Sequence, residues 1–277
     1  MKKDDLKDFS DWMRLNEMSD STIKAYMNGV KSYFNSFDDF SQQGISEYKI
    51  QLVNAGANVN TINLEIAALR KYAEYADTEI SIRSVRTQKR SSIENVISDT
   101  DYRRLLDSLK SDGDLEGYYR VRFLAGTGAR ISELVQMKKK HLFCGEMTIP
   151  TKGKVRTVYI PKSLLEESAE YFGDLEDESY LFQANARRCG HRNAGKPICR
   201  ETITGQMQRW AERYEIPKEV MHPHSFRHRF ALNFLKRNSD LTLLADLMGH
   251  SNLNTTMIYT RMSKEEQKRT IDEVMDW

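Results

Sequence analysis

One short stretch of this 277-residue chain, residues 141–161, interrupts an otherwise helical hydrophobic pattern. His141 to Cys144, Glu146 to Ile149 and Arg156 to Ile160 have the composition of short strands. Gly145 separates the first two, and Lys152-Gly153-Lys154 turns the chain before the third. Strands this short, joined by tight turns, form a small antiparallel sheet and nothing larger. On either side, apolar residues recur at helical spacing. The expected fold is therefore mainly α with a small antiparallel β-sheet, arranged as an N-terminal helical bundle followed by a second, larger domain.

The bundle is expected over residues 1–80. Leu6, Phe9, Trp12 and Met13 mark a first helix. Ser19-Asp20-Ser21 starts a second, with Ile23, Tyr26, Met27, Val30, Tyr33 and Phe34 on one face. A third is expected from about Ser46, and a fourth after Asn60 with Ile62, Leu64, Ile66, Ala67, Leu69 and Tyr72 as its apolar residues. Residues 81–97 lose this periodicity. There Arg83, Arg86, Lys89 and Arg90 stand among Ser, Thr and Gln, either as a solvated tether or as a basic strap along a phosphate backbone. Residues 98–262 form the second unit, with helices after Ser98, at 117–124, 162–172 and 201–214, and a polar, basic loop at 183–197. Residues 263–277 read as a tail helix, with a Ser263/Glu266 capping box and Ile271, Val274 and Met275 as an apolar stripe.

Charge narrows the choice of partner. Residues 1–85 carry 10 Lys/Arg against 13 Asp/Glu, and the remainder 32 against 27, so the larger part permits a phosphate-binding face and the acidic first part does not argue for one. No apolar run approaches the roughly 18 residues of a membrane span, and the N-terminus lacks a signal-peptide core. A cytoplasmic protein with no membrane partner is expected. Cys144, Cys189 and Cys199 are widely spaced, without a metal-ligand pattern, and read as reduced, partly buried thiols.

Four motifs carry the chemistry. Thr127-Gly128-Ala129-Arg130-Ile131-Ser132-Glu133-Leu134 follows a glycine turn but lacks the Gly-Lys-Ser/Thr ending of a phosphate-cradling loop. The hairpin Thr151-Lys152-Gly153-Lys154 presents a lysine at its turn. His222-Pro223-His224-Ser225-Phe226-Arg227-His228 opens a helix with His224 and Arg227 on one face. His224 and His228 have metal-pair spacing, but the glutamate of the zinc-protease pattern and a third ligand are missing, so no metal is expected. Last, a short helix from Leu241 to Met248 ends at Gly249, and His250 precedes Asn254-Thr255-Thr256, which should start a new helix with Tyr259 about one turn in. A tyrosine in such a place usually packs its ring in a core. The motifs upstream shift the balance toward a nucleophile.

In that order, the pieces TGARISELVQM, TKGKVRTVYIP, HPHSFRHRFA and LMGHSNLNTTMIYT resemble the tyrosine recombinase (phage integrase and Xer-like) family over about residues 95–262, and over 1–80 in general form. The resemblance implies a core-binding helical domain and a DNA breaking-rejoining catalytic domain. It also implies a catalytic set of Arg130, Lys152, His224, Arg227, His250 and Tyr259, with Glu133 in support. Lys152 is preferred to Lys154 because it immediately precedes the turn glycine. Arg229 stands where many relatives carry a smaller residue, and is expected to touch DNA or face solvent. No further N-terminal arm-binding domain is expected.

The chemistry accounts for these residue types. A phosphodiester is anionic, and paired guanidinium donors on Arg130 and Arg227 neutralise charge that builds in the transition state. Tyr259 must lose its proton, with His224 as base; the departing 5′-hydroxyl must gain one, from Lys152; and His250 can hold a nonbridging oxygen. By the resemblance, the product is a 3′-phosphotyrosyl bond, exchanged through a Holliday junction. No cofactor is implied. The implied partners are double-stranded DNA and a homotetramer on two DNA sites, with the tail docking on a neighbour or folding back. The rival readings are a DNA-binding regulator with an inert site and a topoisomerase-like relaxase.

Overall fold

The computed structural model describes residues 3–86, 95–151, 154–184, 194–250 and 252–260. The chain divides into two units, residues 1–89 and 90–277. Mainly α with one small antiparallel sheet is the fold observed. Among the described residues no helix is long and apolar enough to cross a membrane.

The first unit holds α1 (Lys3–Leu15), α2 (Asp20–Phe34), α3 (Gln42–Asn54) and α4 (Val59–Tyr75). Ser19 caps α2 as its sequence indicates. Helix α3 begins earlier than expected, because Ser41 rather than Ser46 accepts from the Gly44 N–H at 3.2 Å. Gly44 sits inside the helix against the Tyr33 hydroxyl, where a Cβ would collide. Phe9, Val30, Tyr33, Ile45, Ile66 and Leu69 form the core, each 1% exposed or less. Residues 80–86 are not a free tether. Asn63 bonds both backbone groups of Val85, and Arg70 donates to the Ile82 carbonyl. The side chains of Arg83 and Arg86 are exposed.

The second unit is built on α5 (Asp99–Ser111), α6 (Leu115–Thr127), the four-residue α7 (Ile131–Leu134) and α8 (Lys139–Cys144). These are followed by β1 (Glu146–Thr151), β2 (Lys154–Tyr159), α9 (Lys162–Ser168), α10 (Arg200–Arg213), α11 (Pro223–Arg237) and α12 (Leu241–Met248). Helix α6 is buried on almost every side, with Tyr118, Tyr119, Val121, Phe123 and Leu124 all inside. It packs against α5 and α11. The strand expected at His141–Cys144 is instead α8. His141 Nδ1 accepts the Lys138 N–H at 2.9 Å, and Gly145 ends the helix at φ 71°. A four-residue segment has too little period to tell helix from strand, so these local bonds decide.

Strands β1 and β2 pair antiparallel, Met147 opposite Val158 and Ile149 opposite Arg156. Alternation sends Val155 and Tyr159 outward, 71% and 54% exposed, while Val158 and Arg156 turn inward at 1% and 6%. An arginine on the buried face of a strand needs partners, and the site supplies them. Cys144 and Cys199 are exposed free thiols rather than partly buried ones. Arg229 neither projects into solvent nor stands free for DNA. It pairs with Asp99, stacks 4.2 Å from the Tyr102 ring, and so ties α11 to the start of α5.

Candidate active site

Three arginines from three distant segments converge on the end of α12. The Leu247 carbonyl accepts from Arg156 Nη2 at 2.9 Å, the Met248 carbonyl from Arg227 Nη2, and the Gly249 carbonyl from Arg130 Nη2 at 3.0 Å. The last carbonyls of a helix have no intrahelical donors and carry the negative end of its dipole, so they suit guanidinium groups. Gly249 makes the approach possible. It adopts φ 59°, ending α12, and a Cβ there would overlap the Arg156 side chain.

Glu133 links two of the three cations. Arg130 is the N-cap of α7, and its own N–H donates to Glu133 Oε2 at 2.7 Å. Arg130 Nη1 donates to Glu133 Oε1 at 2.9 Å, and Arg156 Nη1 bonds the same oxygen. Burial opposes ionisation of this carboxyl, but the Arg130 N–H and the Arg156 charge outweigh it and hold the pKa below its ordinary value. Removing the carboxylate would leave Arg156 buried without a counter-charge. Glu133→Gln is therefore expected to lose about 3–5 kcal/mol of stability, measured by denaturant unfolding.

Arg227, 4% exposed, spans from the Gly128 carbonyl at 2.5 Å to that of Met248. Gly128 ends α6 at φ 62°, which turns its carbonyl to this use. Burial, then Arg130 and Arg156, pull the Arg227 pKa down to about 9, still protonated at neutral pH. The side chain of Arg130 is 35% exposed. It lines an open groove of about 1180 Å³ with Glu133, Arg156, Gly249 and His250. This is a water-accessible cleft with guanidinium donors at its edge, suited to an anionic ligand.

His250 Nε2 lies 3.4 Å from Arg227 Nη2, and its Nδ1 2.8 Å from Thr256 Oγ1. Burial, then the neighbouring arginines, push its pKa to about 4, so the ring is neutral. Tyr259 follows on two short 3-10 turns, Leu253–Thr255 and Met257–Thr260, rather than one turn into a regular helix. Its ring packs with Ala231, Leu244 and Met248, and its hydroxyl meets His228 Nδ1 at 2.7 Å. Burial raises the phenol to about 12, against the pull of Arg227, and burial likewise lowers His228 to about 4. The contact is one between two uncharged groups. His224, one turn earlier on α11, has its ring 6.5 Å from that of His228, and burial lowers its pKa.

Residues 95–266, more than half of the chain, match the Phage integrase family. The chain belongs to the phage integrase family. It is an enzyme of the tyrosine recombinase type, and curated tyrosine recombinases resemble this chain along nearly its whole length. XerA of Pyrococcus furiosus is 25% identical, covering 96% of this chain and 92% of that protein. XerD of Staphylococcus haemolyticus is 26% identical, covering 90% of each. The fold matches the Tn1549 transposon integrase in complex with circular-intermediate DNA at TM-score 0.73, with 16% identity over 98% of this chain and 99% of the other. It also matches a λ integrase dimer bound to a core site at 0.67, with 15% identity over 95% and 96%.

Of the residues singled out in the sequence, Arg130, Glu133, Arg227 and His250 lie in one bonded cluster. Tyr259 is joined to it through the turn after His250, and His224 stands on the helix that carries Arg227. Lys152, Lys89, Arg90 and the tail 263–277 lie outside the described residues. The sequence reading missed Arg156, His228 and Thr256. Arg156 carried a signal: it shares strand parity with Val158 and Ile160, which face the core. His228 was weighed only as a metal partner of His224, and its contact with Tyr259 spans 31 residues of sequence.

Proposed function

We propose that the chain recombines specific DNA sites by cutting and rejoining strands through a 3′-phosphotyrosyl intermediate. The observation that carries this reading is the gathering of Arg130, Arg156 and Arg227 on the last carbonyls of α12, beside His250 and ten residues before Tyr259. Two of these cations, Arg130 and Arg227, take the nonbridging oxygens of a scissile phosphate, and His250 donates to one of the same oxygens. Arg156 serves from below, holding Glu133 and through it Arg130.

The phenol oxygen of Tyr259 attacks phosphorus, and the bond from phosphorus to the 5′-oxygen breaks. The phenol proton passes to His224, and Lys152 supplies a proton to the departing 5′-hydroxyl. The hydroxyl bonded to His228 must give up that contact to reach phosphorus, so the two short turns carrying it are the segment that shifts. Because the phosphodiester is replaced by another ester of phosphate, a 5′-hydroxyl from a second strand reverses the step without an energy source. Two such exchanges in a homotetramer on two sites pass through a Holliday junction, with the basic segment Arg83, Arg86, Lys89 and Arg90 along the backbone and the tail joining neighbours.

The test uses a pool of nicked duplexes of random sequence, in which the short fragment carrying the 5′-hydroxyl diffuses away after cleavage. Wild-type protein is expected to capture a restricted set of sequences covalently, and sequencing them gives the site. Specific binding without covalent capture would instead support an inert regulator. On the captured duplex, Lys152→Ala is expected to cleave about 10²- to 10⁴-fold more slowly. Sulfur in place of the 5′-bridging oxygen, a leaving group that needs no proton, should restore the rate. A loss that sulfur does not repair removes Lys152 as the acid.

A further inference from the structure

The proposed role of His250 requires a hydrogen on the ring nitrogen that faces the phosphate. A neutral imidazole carries only one, on either nitrogen. Nε2 faces the Arg227 guanidinium, itself only a donor, at 3.4 Å. That is longer than the 2.7–3.2 Å typical of a made N–H hydrogen bond. With its hydrogen on Nε2, His250 would join Arg227 in donating to one acceptor such as a phosphate oxygen, and the contact between the two would open as that acceptor binds.

On the other edge, Nδ1 meets Thr256 Oγ1 at 2.8 Å, and Thr256 is fully buried. We infer that Thr256 is a positioning residue: its hydroxyl donates to Nδ1 and so fixes the hydrogen of His250 on Nε2, the edge that faces the phosphate. The same residue supports the nucleophile's turn, since its carbonyl accepts the Tyr259 N–H at 3.0 Å. The last histidine and the tyrosine are thus set by one side chain and its backbone. This inference rests on the proposed role of His250 as a phosphate donor.

The test compares Thr256→Val, which keeps the shape and loses the hydroxyl, with Thr256→Ser, which keeps the hydroxyl. In full-length protein labelled with ¹⁵N-histidine, and with the His250 signals assigned by a His250→Gln variant, wild type and Thr256→Ser should show the Nε2–H tautomer. Thr256→Val should shift toward Nδ1–H or a mixture. On the captured duplex, Thr256→Val should cleave about 10- to 100-fold more slowly, the range typical of losing a group that orients a ligating histidine, with Thr256→Ser near wild type. Thr256→Ala takes the place of Thr256→Val if the valine protein does not fold. An unchanged Nε2–H tautomer in the hydroxyl-free variant overturns the inference, and so does a changed tautomer with wild-type cleavage. Full cleavage by His250→Ala would refute the role of His250 itself, a separate outcome.

Discussion

Tyr259→Phe protein is expected to yield no covalent adduct on the captured duplex, while wild type yields one that mass spectrometry locates at Tyr259. The substitution removes one oxygen, and the ring can still fill the apolar space among Ala231, Leu244 and Met248. The structural cost is the bond to His228, about 1 kcal/mol net, plus whatever His228 loses by being left without it. DNA affinity should stay within a few-fold of wild type, because binding is dominated by phosphate contacts elsewhere. The loss is thus a loss of chemistry in a folded, DNA-binding protein. An adduct of equal yield from the phenylalanine protein would place the nucleophile elsewhere.

For Arg227→Lys, cleavage should fall by about 10²- to 10³-fold, the range for losing one oriented donor at a developing charge. Lysine keeps the charge, so the prediction separates geometry from electrostatics. The guanidinium uses one arm on the Gly128 carbonyl and another on that of Met248, and still has N–H groups left for a ligand. A single ammonium cannot span both carbonyls and also reach a phosphate. Leaving one carbonyl unpaired should cost about 1–3 kcal/mol of stability as well. Single-turnover cleavage and equilibrium binding, measured on the same duplex, should show the rate falling far more than the affinity. An affinity loss matching the rate loss would mean that Arg227 serves only to hold DNA.

Much of this architecture was legible in the residue pattern. Of the stripe on α2, Ile23, Val30 and Tyr33 are buried and Tyr26, Met27 and Phe34 are partly buried against the same core, and Leu241–Met248 is the helix its composition suggests. What failed did so for local reasons. His141–Cys144 is too short to show a period, so a side-chain cap from His141 decided its structure. The third helix was expected from about Ser46 but starts at Gln42, and Gly44 inside it leaves the room that the Tyr33 hydroxyl takes. Arg229 offered no sign of its ion pair with Asp99, 130 residues away.

The sequence by itself determined the inventory: a mainly helical chain with one hairpin, and two arginines, a lysine, two histidines and a tyrosine in motifs whose order names a family. It did so because helical period, turn residues and capping signals are local, and because a family's motifs keep their order along the chain. Only the tertiary structure decided how those groups are held. Arg156 turned out to be the third cation, Glu133 the bridge, and His228 the present partner of the Tyr259 hydroxyl. The physical reason is that a helix ends with unpaired carbonyls whatever its sequence. Which donors reach Leu247, Met248 and Gly249 depends on where segments 21 to 119 residues away along the chain come to rest.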